Sequence, residues 1–173
     1  MKKIRYGVAM SLDGYIAAGP GDNYDWIVKD PEINFAEIFA QYDTLLMGRL
    51  TYEVAMTMGR EAFGDMKVIV VSRTLRPVDH PGATVISELT RDWLRNLRSQ
   101  QGKDIWLFGG CQLARAVLEL GELDAIDVSV IPVILGGGIS LIGGPVPQTK
   151  LKLTSHKIYK SGIASLKYDV LRG

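Results

Sequence analysis

Eight short runs rich in apolar and β-branched residues recur along the chain, and helical patterns separate several of them. These strand candidates cover residues 4–10, 44–47, 67–72, 83–86, 104–108, 126–134, 152–160 and 163–171. Strands that alternate with helices favour an open α/β sheet of mostly parallel strands, because each crossover helix returns the chain to the same end of the sheet. Ser161 and Gly162 alone separate the last two runs, which predicts a hairpin and an antiparallel edge.

The segments between these runs contain four helical patterns. In the first, Asp30 before Pro31 is typical of an N-cap and a first helical residue. The apolar stripe of that helix consists of Phe35, Ile38, Phe39 and Tyr42. A second helix is expected to begin near Thr51, a third to follow Thr90 as its N-cap, and a fourth to span residues 111–120. No repeat or linker interrupts this order, so residues 1–173 are predicted to form one domain.

The composition argues against several function classes. Of the 173 residues, 20 are basic and 19 acidic, which leaves a net charge of +1 with no long run of either sign. We therefore expect no nucleic-acid partner. The single cysteine, Cys111, excludes an internal disulfide, and His80 and His156 lie too far apart in sequence for a recognisable metal-ligand cluster. A metal-free protein of the reducing cytoplasm is expected.

One uncharged segment, residues 128–146, is long enough to span a bilayer. It contains Pro132 and five glycines, and each glycine in a helix interior costs about 1 kcal/mol relative to alanine. A buried strand followed by a glycine loop fits this composition better, so we expect no membrane span.

Three predicted strand ends carry residues suited to anions. In open α/β sheets, ligands bind beyond the carboxyl ends of the strands, where backbone N–H groups at helix starts point outward. Gly109 and Gly110 lie between a strand and a helix and would allow a phosphate to approach the backbone closely, although a tight turn without a ligand is the alternative.

The second strand end carries Gly48 and Arg49, and the third carries Ser72 and Arg73. A cation in the first turn of a helix interacts unfavourably with the helix dipole, and a bound phosphate would offset this cost. Arg49 could instead fold back onto a surface carboxylate. Thr51 could cap this helix or donate its hydroxyl to the same anion. Ser72 and Arg73 suit a phosphate monoester, or else form a solvated loop. Three such ends on one sheet fit a dinucleotide.

Four segments of this chain are similar, in order and spacing, to those of the dihydrofolate-reductase-like superfamily. They read GVAMSLDGYIA, DTLLMGRLTYE, VIVVSR and IWLFGGCQLARAVLELGELDAIDVSVIPVILGGG. The closest resemblance is to the branch with the reductase domain of the bifunctional riboflavin-biosynthesis deaminase/reductase and its stand-alone relatives. The resemblance implies a three-layer α/β/α fold with a mostly parallel sheet of about eight strands and an antiparallel C-terminal hairpin.

The resemblance also implies NADPH as the cofactor and assigns residues to it. The positions expected to contact the cofactor are Ala9, Ile16, Gly48, Arg49, Thr51, Ser72, Arg73, Gly109, Gly110, Gln112 and Leu113. Among them, Ala9 and Ile16 frame the nicotinamide, the Ser72–Arg73 pair reads the adenosine 2′-phosphate, and Gly109–Gly110 holds the pyrophosphate. Residues 19–21 fall where the family has a mobile loop over the active site.

Two carboxylates are candidates for assisting proton transfer. Folate-reducing members carry one acid on the first helix, and Glu32 lies near the matching place, although an acid in a first turn also simply complements the helix dipole. Asp13 is the rival, although Asp13 before Gly14 also reads as an ordinary turn. Few basic residues precede Met47, with Lys29 alone between Gly14 and that position, so the phosphate site of a riboflavin-pathway substrate is not evident.

The sequence therefore predicts a reductase that transfers a hydride from NADPH to a small polar acceptor. The acceptor type implied by the resemblance is 5-amino-6-(5-phosphoribosylamino)uracil. A dihydrofolate or pterin reductase and an NADPH-binding module without turnover are the alternatives. By the same resemblance the protein is expected to be a homodimer, with the apolar region 133–144 contributing to the interface.

Overall fold

The computed structural model describes residues 1–172, with the exception of the Arg60 side chain. Its strands are β1 (Ile4–Ser11), β2 (Tyr15–Ala17), β3 (Tyr42–Gly48), β4 (Lys67–Val71), β5 (Thr84–Ile86), β6 (Asp104–Gly109), β7 (Ala125–Ile131), β8 (Ile139–Ser140), β9 (Leu151–Ile158) and β10 (Ala164–Val170). Its α-helices are α1 (Phe35–Phe39), α2 (Arg49–Thr57), α3 (Arg91–Ser99) and α4 (Cys111–Glu119). Within residues 1–172, no helix is long and apolar enough to cross a membrane.

Eight strands form one sheet in the order β5-β4-β3-β6-β1-β7-β10-β9. The first six strands in this order are parallel, whereas β10 pairs antiparallel with both β7 and β9. The predicted mostly parallel sheet with an antiparallel C-terminal hairpin is therefore confirmed. A second sheet, in which β2 pairs with β8, was not predicted, because strands of two or three residues leave no readable alternation.

Helices pack on both faces of the sheet. On one face, α3 and α4 cover the side chains that β1, β6 and β7 direct into the larger core cluster. On the other face, α1 and α2 cover only the half of the sheet built from β3, β4 and β6. Among the described residues, no helix covers the half of this second face that belongs to β1, β7, β10 and β9, where Ala9, Ser129 and Ser165 are half-buried.

Trp106 occupies the second face of β6 and requires glycine at position 7. The indole Nε1 donates to the Gly7 carbonyl at 3.0 Å, and a Cβ at position 7 would lie 2.6 Å from the same nitrogen. The ring stacks on Tyr42, with centroids 5.0 Å apart. A side chain at position 7 would therefore displace a well-packed aromatic group.

We expect Gly7→Ala to lower the free energy of unfolding by about 1–3 kcal/mol, the usual cost of overpacking a core. Gly82→Ala is the matched control, because a Cβ there meets no atom within 4 Å and the residue does not have positive φ. Urea unfolding of both variants measures the difference. Equal stabilities would show that the indole moves aside without loss.

The first helix begins later than predicted. Asn34 is its N-cap and accepts hydrogen bonds from the backbone N–H groups of Ala36 and Glu37. Asp30 is not a cap, because its carboxylate accepts from the backbone N–H of Glu32 at 2.8 Å and from that of Ser161 at 3.1 Å. The contact with Ser161 ties this loop to the β9–β10 hairpin, so residues 30–34 form a turn and not a helix.

Three other local predictions agree with the structure, and a fourth does not. Thr90 caps α3 by accepting from the backbone N–H of Trp93 at 3.2 Å. Both α2 and α4 lie where they were predicted. Tyr42, assigned to the stripe of the first helix, instead begins β3 and is buried beside Trp106.

Candidate functional site

The carboxyl ends of β3 and β6 meet at the same edge of the sheet and each leads directly into a helix. Met47 pairs with Gly109 across the two strands. Gly48 and Gly110 are the N-caps of α2 and α4, and no described side chain caps either helix start. Two sets of backbone N–H groups without intrahelical partners therefore open beside one another, which is the donor arrangement that binds anions.

Thr51 closes one side of this space. A Cβ at Gly109 would lie 3.3 Å from the Thr51 Oγ1, and a Cβ at Gly110 would lie 3.4 Å from the same oxygen. Gly109 has φ of +140°, a conformation that favours glycine, and the peptide bond between the two glycines is cis. Thr51 is the third residue of α2, so it does not cap this helix as one prediction had it. Its hydroxyl faces the glycine pair, which leaves donation to a bound anion as the other predicted role.

The third predicted strand end lies next to these two, because Gly48 pairs with Val71 of β4. Ser72 follows that strand and is buried, and its Oγ accepts from the backbone N–H groups of Thr74 and Leu75 at 3.2 and 3.0 Å. Arg73 is exposed and makes no ion pair with any described residue. Ser72 thus shapes the turn, and Arg73 supplies a cation that is available to a ligand.

Arg49 is engaged elsewhere. Its Nη1 lies 2.9 and 3.1 Å from the two carboxylate oxygens of Glu53, one turn later on α2. The two side chains are 42% and 45% exposed, so water screens the pair and it contributes little to stability. The folded-back arrangement considered from the sequence is therefore the one present, and contact between Arg49 and a phosphate requires a different rotamer.

The remaining predicted cofactor positions divide between backbone and side-chain roles. Ala9 lies on β1, on the half of the second face that no described helix covers, and Ile16 lies on β2. Leu113 is buried in the core cluster under α4, so only its backbone N–H can contribute to the helix start. Gln112 is exposed, and its amide lies 2.8 Å from the Cβ position of Gly143.

Asp13 stabilises a loop. Its carboxylate accepts from the Ser11 hydroxyl at 2.6 Å and from the backbone N–H groups of Leu135 and Gly136 at 3.1 and 2.8 Å. These bonds, above all the one from Ser11, lower the pKa of Asp13. An ionised carboxylate held by three donors is poorly suited to donate a proton, and its evident effect is to fix the glycine loop after β7.

Glu32 lies at the surface. Its carboxylate is 43% exposed and lies 3.5 Å from the ammonium of Lys160, which is itself 91% exposed. A carboxylate so exposed lies in water and not in an apolar pocket of the kind that suits an acid for proton transfer. The described residues also contain no group of three or more His, Cys, Asp or Glu placed to hold a metal ion.

The loop expected over the active site is organised by Asp22. The carboxylate accepts from the backbone N–H groups of Ala18 and Tyr24 at 2.7 and 2.8 Å and from the indole N–H of Trp26 at 2.9 Å. Burial opposes ionisation, but these hydrogen bonds dominate and lower the pKa of Asp22. A single charged group thus sets the path of residues 18–26 at this edge of the sheet.

Two features of the site were missed in the sequence. An aromatic wall stands on the second face of β6, where Trp106 lies 5.6 Å from Phe39 and 5.0 Å from Phe108 between ring centroids. Ser129 and Ser165 place two hydroxyl groups beside Ala9 on the same face of the sheet. The alternation of Trp106 and Phe108 around a buried Leu107 was a readable signal for the wall, whereas the serines become neighbours only through strand register.

Comparison with known proteins agrees with this architecture. The family model for the RibD C-terminal domain matches residues 2–165. YyaP, an uncharacterized protein of Bacillus subtilis (strain 168), is 29% identical over 179 residues, covering 96% of this chain and 94% of YyaP.

Two solved structures share the fold. A protein from Shewanella sp. PV-4, whose name proposes a role in riboflavin biosynthesis, superimposes with a TM-score of 0.83 at 21% identity, covering 98% of this chain and 99% of its own. A bifunctional deaminase/5-amino-6-(5-phosphoribosylamino)uracil reductase from Thermotoga maritima superimposes with a TM-score of 0.69 at 15% identity, and the match covers 98% of this chain and 57% of that one. The resemblance found in the sequence is confirmed: the chain belongs to the RibD C-terminal domain family.

Proposed function

We propose that the protein is a cytoplasmic, homodimeric reductase that uses NADPH to reduce a small polar acceptor of the 5-amino-6-(5-phosphoribosylamino)uracil type. Membership of the RibD C-terminal domain family supports the oxidoreductase class. The observation that carries the proposal is the placement of Thr51 against Gly109 and Gly110, between two helix starts that have no side-chain caps.

The donor set fits a dinucleotide with an additional phosphate. The backbone N–H groups of α2 and α4 suit the pyrophosphate, and a side chain at either glycine would enter the space that the diphosphate needs. Arg73, one strand away, supplies a guanidinium for a 2′-phosphate. Bound NADPH would supply the hydride, while this chain positions the cofactor and the acceptor and excludes water between them.

Stabilisation by ligand tests the cofactor. At a free concentration of 100 times the Kd, NADPH should add about 2.7 kcal/mol of stability, or roughly 5–10 °C in the unfolding midpoint of a domain of this size. NADH and ATP at the same concentration should raise the midpoint much less. No rise with either dinucleotide would contradict the proposal at its first step.

Replacing Arg73 tests the 2′-phosphate contact. We expect Arg73→Gln to weaken NADPH binding about tenfold and to leave NADH binding unchanged, because one charge-assisted hydrogen bond contributes about 1.5 kcal/mol or more. The control is Arg76→Gln, which removes an exposed cation paired with Asp79 at 3.7 Å. Equal losses for the two cofactors, or equal effects of the two variants, would place the 2′-phosphate elsewhere.

The two alternatives predict different results with acceptors. A pterin reductase needs a carboxylate that touches the ring, and the exposure of Glu32 gives this alternative little support. For a uracil-type reductase, Glu32→Gln should leave turnover within about twofold, since a screened surface pair contributes little. A binding module without turnover would bind NADPH yet oxidise none in the presence of any acceptor.

Assembly can be tested separately. Every residue of the edge strand β9 is exposed, and among them Leu153 and Ile158 are 47% and 65% exposed. Apolar side chains on an exposed edge strand are a liability that association would remove. Light scattering should give twice the mass of 19.0 kDa.

A further inference from the structure

A row of four residues crosses the half of the sheet that has no helix over it. Strand register places Ala9 of β1 opposite Ser129 of β7, Ser129 opposite Ser165 of β10, and Ser165 opposite Lys157 of β9. Residues that are directly paired in neighbouring strands point to the same face. The row therefore runs from the position expected to frame the nicotinamide, through two hydroxyls, to an ammonium group.

The polar groups of this row are free to bind. Ser129 and Ser165 are half-buried, and neither hydroxyl makes a hydrogen bond to another residue within the described chain. Lys157 is exposed and has no ion pair among the described residues, and its ammonium lies 4.4 Å from the centre of the Tyr159 ring. Hydroxyls and a lysine are the usual partners of a phosphate or carboxylate.

Neighbouring cations are less available. Arg5, on the same face, is ion-paired with Asp127, makes a second ion pair with Asp104 at 3.6 Å, and donates a hydrogen bond to Gln41 at 3.0 Å. Lys167 lies opposite Asp127 and lines a groove that also contains Asp169, so acidic groups surround it. Lys160, beyond the end of β9, faces Glu32. Each of these three cations thus has an acidic residue beside it, whereas Lys157 has no ion pair among the described residues.

Asp30 is an acid on which the charge of Lys157 acts. Its carboxylate is already held by the backbone N–H groups of Glu32 and Ser161. Hydrogen bonding by Ser161 and Glu32 lowers the pKa of Asp30, and the charge of Lys157 contributes to the same shift. Lys157 acts on Asp30 through its charge and not through a hydrogen bond, so Lys157 retains its capacity to bind an external anion.

The length of the row limits the ligand. Three steps between neighbouring strands separate Ala9 from Lys157, or about 14 Å at the usual spacing of 4.8 Å. Because a lysine ammonium stands on a flexible four-carbon stem, it can reach back along the row. An acceptor that reacts beside Ala9 can therefore extend a polar linker over Ser129 and Ser165 and place its anionic end near Lys157.

We propose that Ser129, Ser165 and Lys157 form the subsite for the anionic end of the acceptor, a phosphate on a polyhydroxylated linker, and so determine specificity. This inference rests on the proposed reductase function and deepens it. It also provides a basic group for the acceptor phosphate, which the sequence between Gly14 and Met47 did not offer.

Binding of a fragment tests the subsite without turnover. Calorimetry of the NADPH-saturated protein should show that ribose 5-phosphate binds at least tenfold more tightly than ribose. Lys157→Ala should remove this preference, whereas Lys152→Ala, on the same exposed strand opposite Asp169, should retain it. Ser165→Ala should weaken the binding of ribose 5-phosphate about three- to tenfold. A wild-type protein with no preference, or equal effects of the two lysine variants, overturns the subsite.

Kinetics distinguish this inference from the proposed function. With a phosphorylated acceptor, Lys157→Ala should raise KM about tenfold with kcat and the Kd for NADPH nearly unchanged, because the lysine contacts a part of the acceptor that does not react. If the wild type binds NADPH and ribose 5-phosphate as expected but oxidises no NADPH, the reductase proposal fails and the subsite stands. If the wild type oxidises NADPH with the phosphorylated acceptor and Lys157→Ala has the same KM for that acceptor, the subsite fails and the reductase proposal stands.

Discussion

Replacing Glu122 with glutamine is expected to lower the free energy of unfolding by about 3 kcal/mol, the lower end of the range for removing one partner of a buried ion pair. Glu122 is 3% exposed and Arg98 is 7% exposed. The Glu122 carboxylate accepts from Nη1 of Arg98 and, at 2.9 Å, from Nε of Arg95. A neutral amide would leave the Arg98 guanidinium buried with less compensating charge.

The effect should be global because Arg98 joins three elements. From the last turn of α3, it donates to the Lys2 carbonyl just before β1 at 3.2 Å and to the Asp124 carboxylate just before β7 at 2.8 Å. Asp124 in turn accepts from the backbone N–H of Ile4 at 2.8 Å. Weakening this cluster loosens the starts of two central strands together, so a single cooperative transition should move to lower temperature.

Glu119→Gln is the matched control for this prediction. Glu119 pairs with Arg115 at 2.8 Å on the surface of α4, where the two side chains are 43% and 33% exposed. Loss of that pair should cost less than about 1 kcal/mol. Calorimetry should therefore show a fall in midpoint of roughly 6–12 °C for Glu122→Gln and a much smaller fall for Glu119→Gln. Similar midpoints would mean that water enters and solvates Arg98.

The pH dependence of stability provides a second readout. Burial alone would raise the pKa of Glu122, but hydrogen bonds and the charges of Arg95 and Arg98 hold it below its ordinary value. A group with a depressed folded pKa stabilises the protein above its unfolded pKa, about 4.3 for glutamate, and this contribution is lost as pH falls toward the folded value. The difference in stability between the wild type and Glu122→Gln should therefore be constant near neutrality and shrink below about pH 4.3.

The fold was readable from the sequence where local signals were consistent. Runs of β-branched residues identified all eight strands of the main sheet, and Thr90 identified the start of α3. The error at Asp30 has a different origin, since the sequence Asp-Pro is typical of a helix start in isolation. Its carboxylate instead binds the backbone of Ser161, a partner more than a hundred residues away that no local pattern reveals.

The site was predictable only in part for the same reason. Glycines at strand ends mark the places where a backbone must accept a close neighbour, and Gly109 and Gly110 were found in this way. Whether a polar side chain is free depends on its tertiary neighbours, as the engagement of Arg49 with Glu53 shows. The row through Ser129, Ser165 and Lys157 depends on strand order and register, which become visible only once the sheet is assembled.

Gly110→Ala is expected to retain the fold and to weaken NADPH binding by roughly 10–100-fold. Gly110 has φ of −94° and ψ of −170°, which alanine adopts without strain. Its added Cβ would lie 3.4 Å from the Thr51 Oγ1, an ordinary contact, and would fill the space between that hydroxyl and the start of α4. A pyrophosphate held away from the helix start would lose at least one charge-assisted hydrogen bond, which contributes about 1.5–3 kcal/mol.

Measuring stability and NADPH affinity on the same samples distinguishes a loss of the cofactor contact from a loss of folding. Gly110→Ala should unfold in urea within about 1 kcal/mol of the wild type, because no core atom is displaced. Gly82→Ala, at an open surface position, should change neither quantity. Titration with NADPH then reports the glycine contact alone. If folded Gly110→Ala bound NADPH within about threefold of the wild type, less than 1 kcal/mol, the pyrophosphate would lie elsewhere, and Thr51 would face the glycine pair for packing alone.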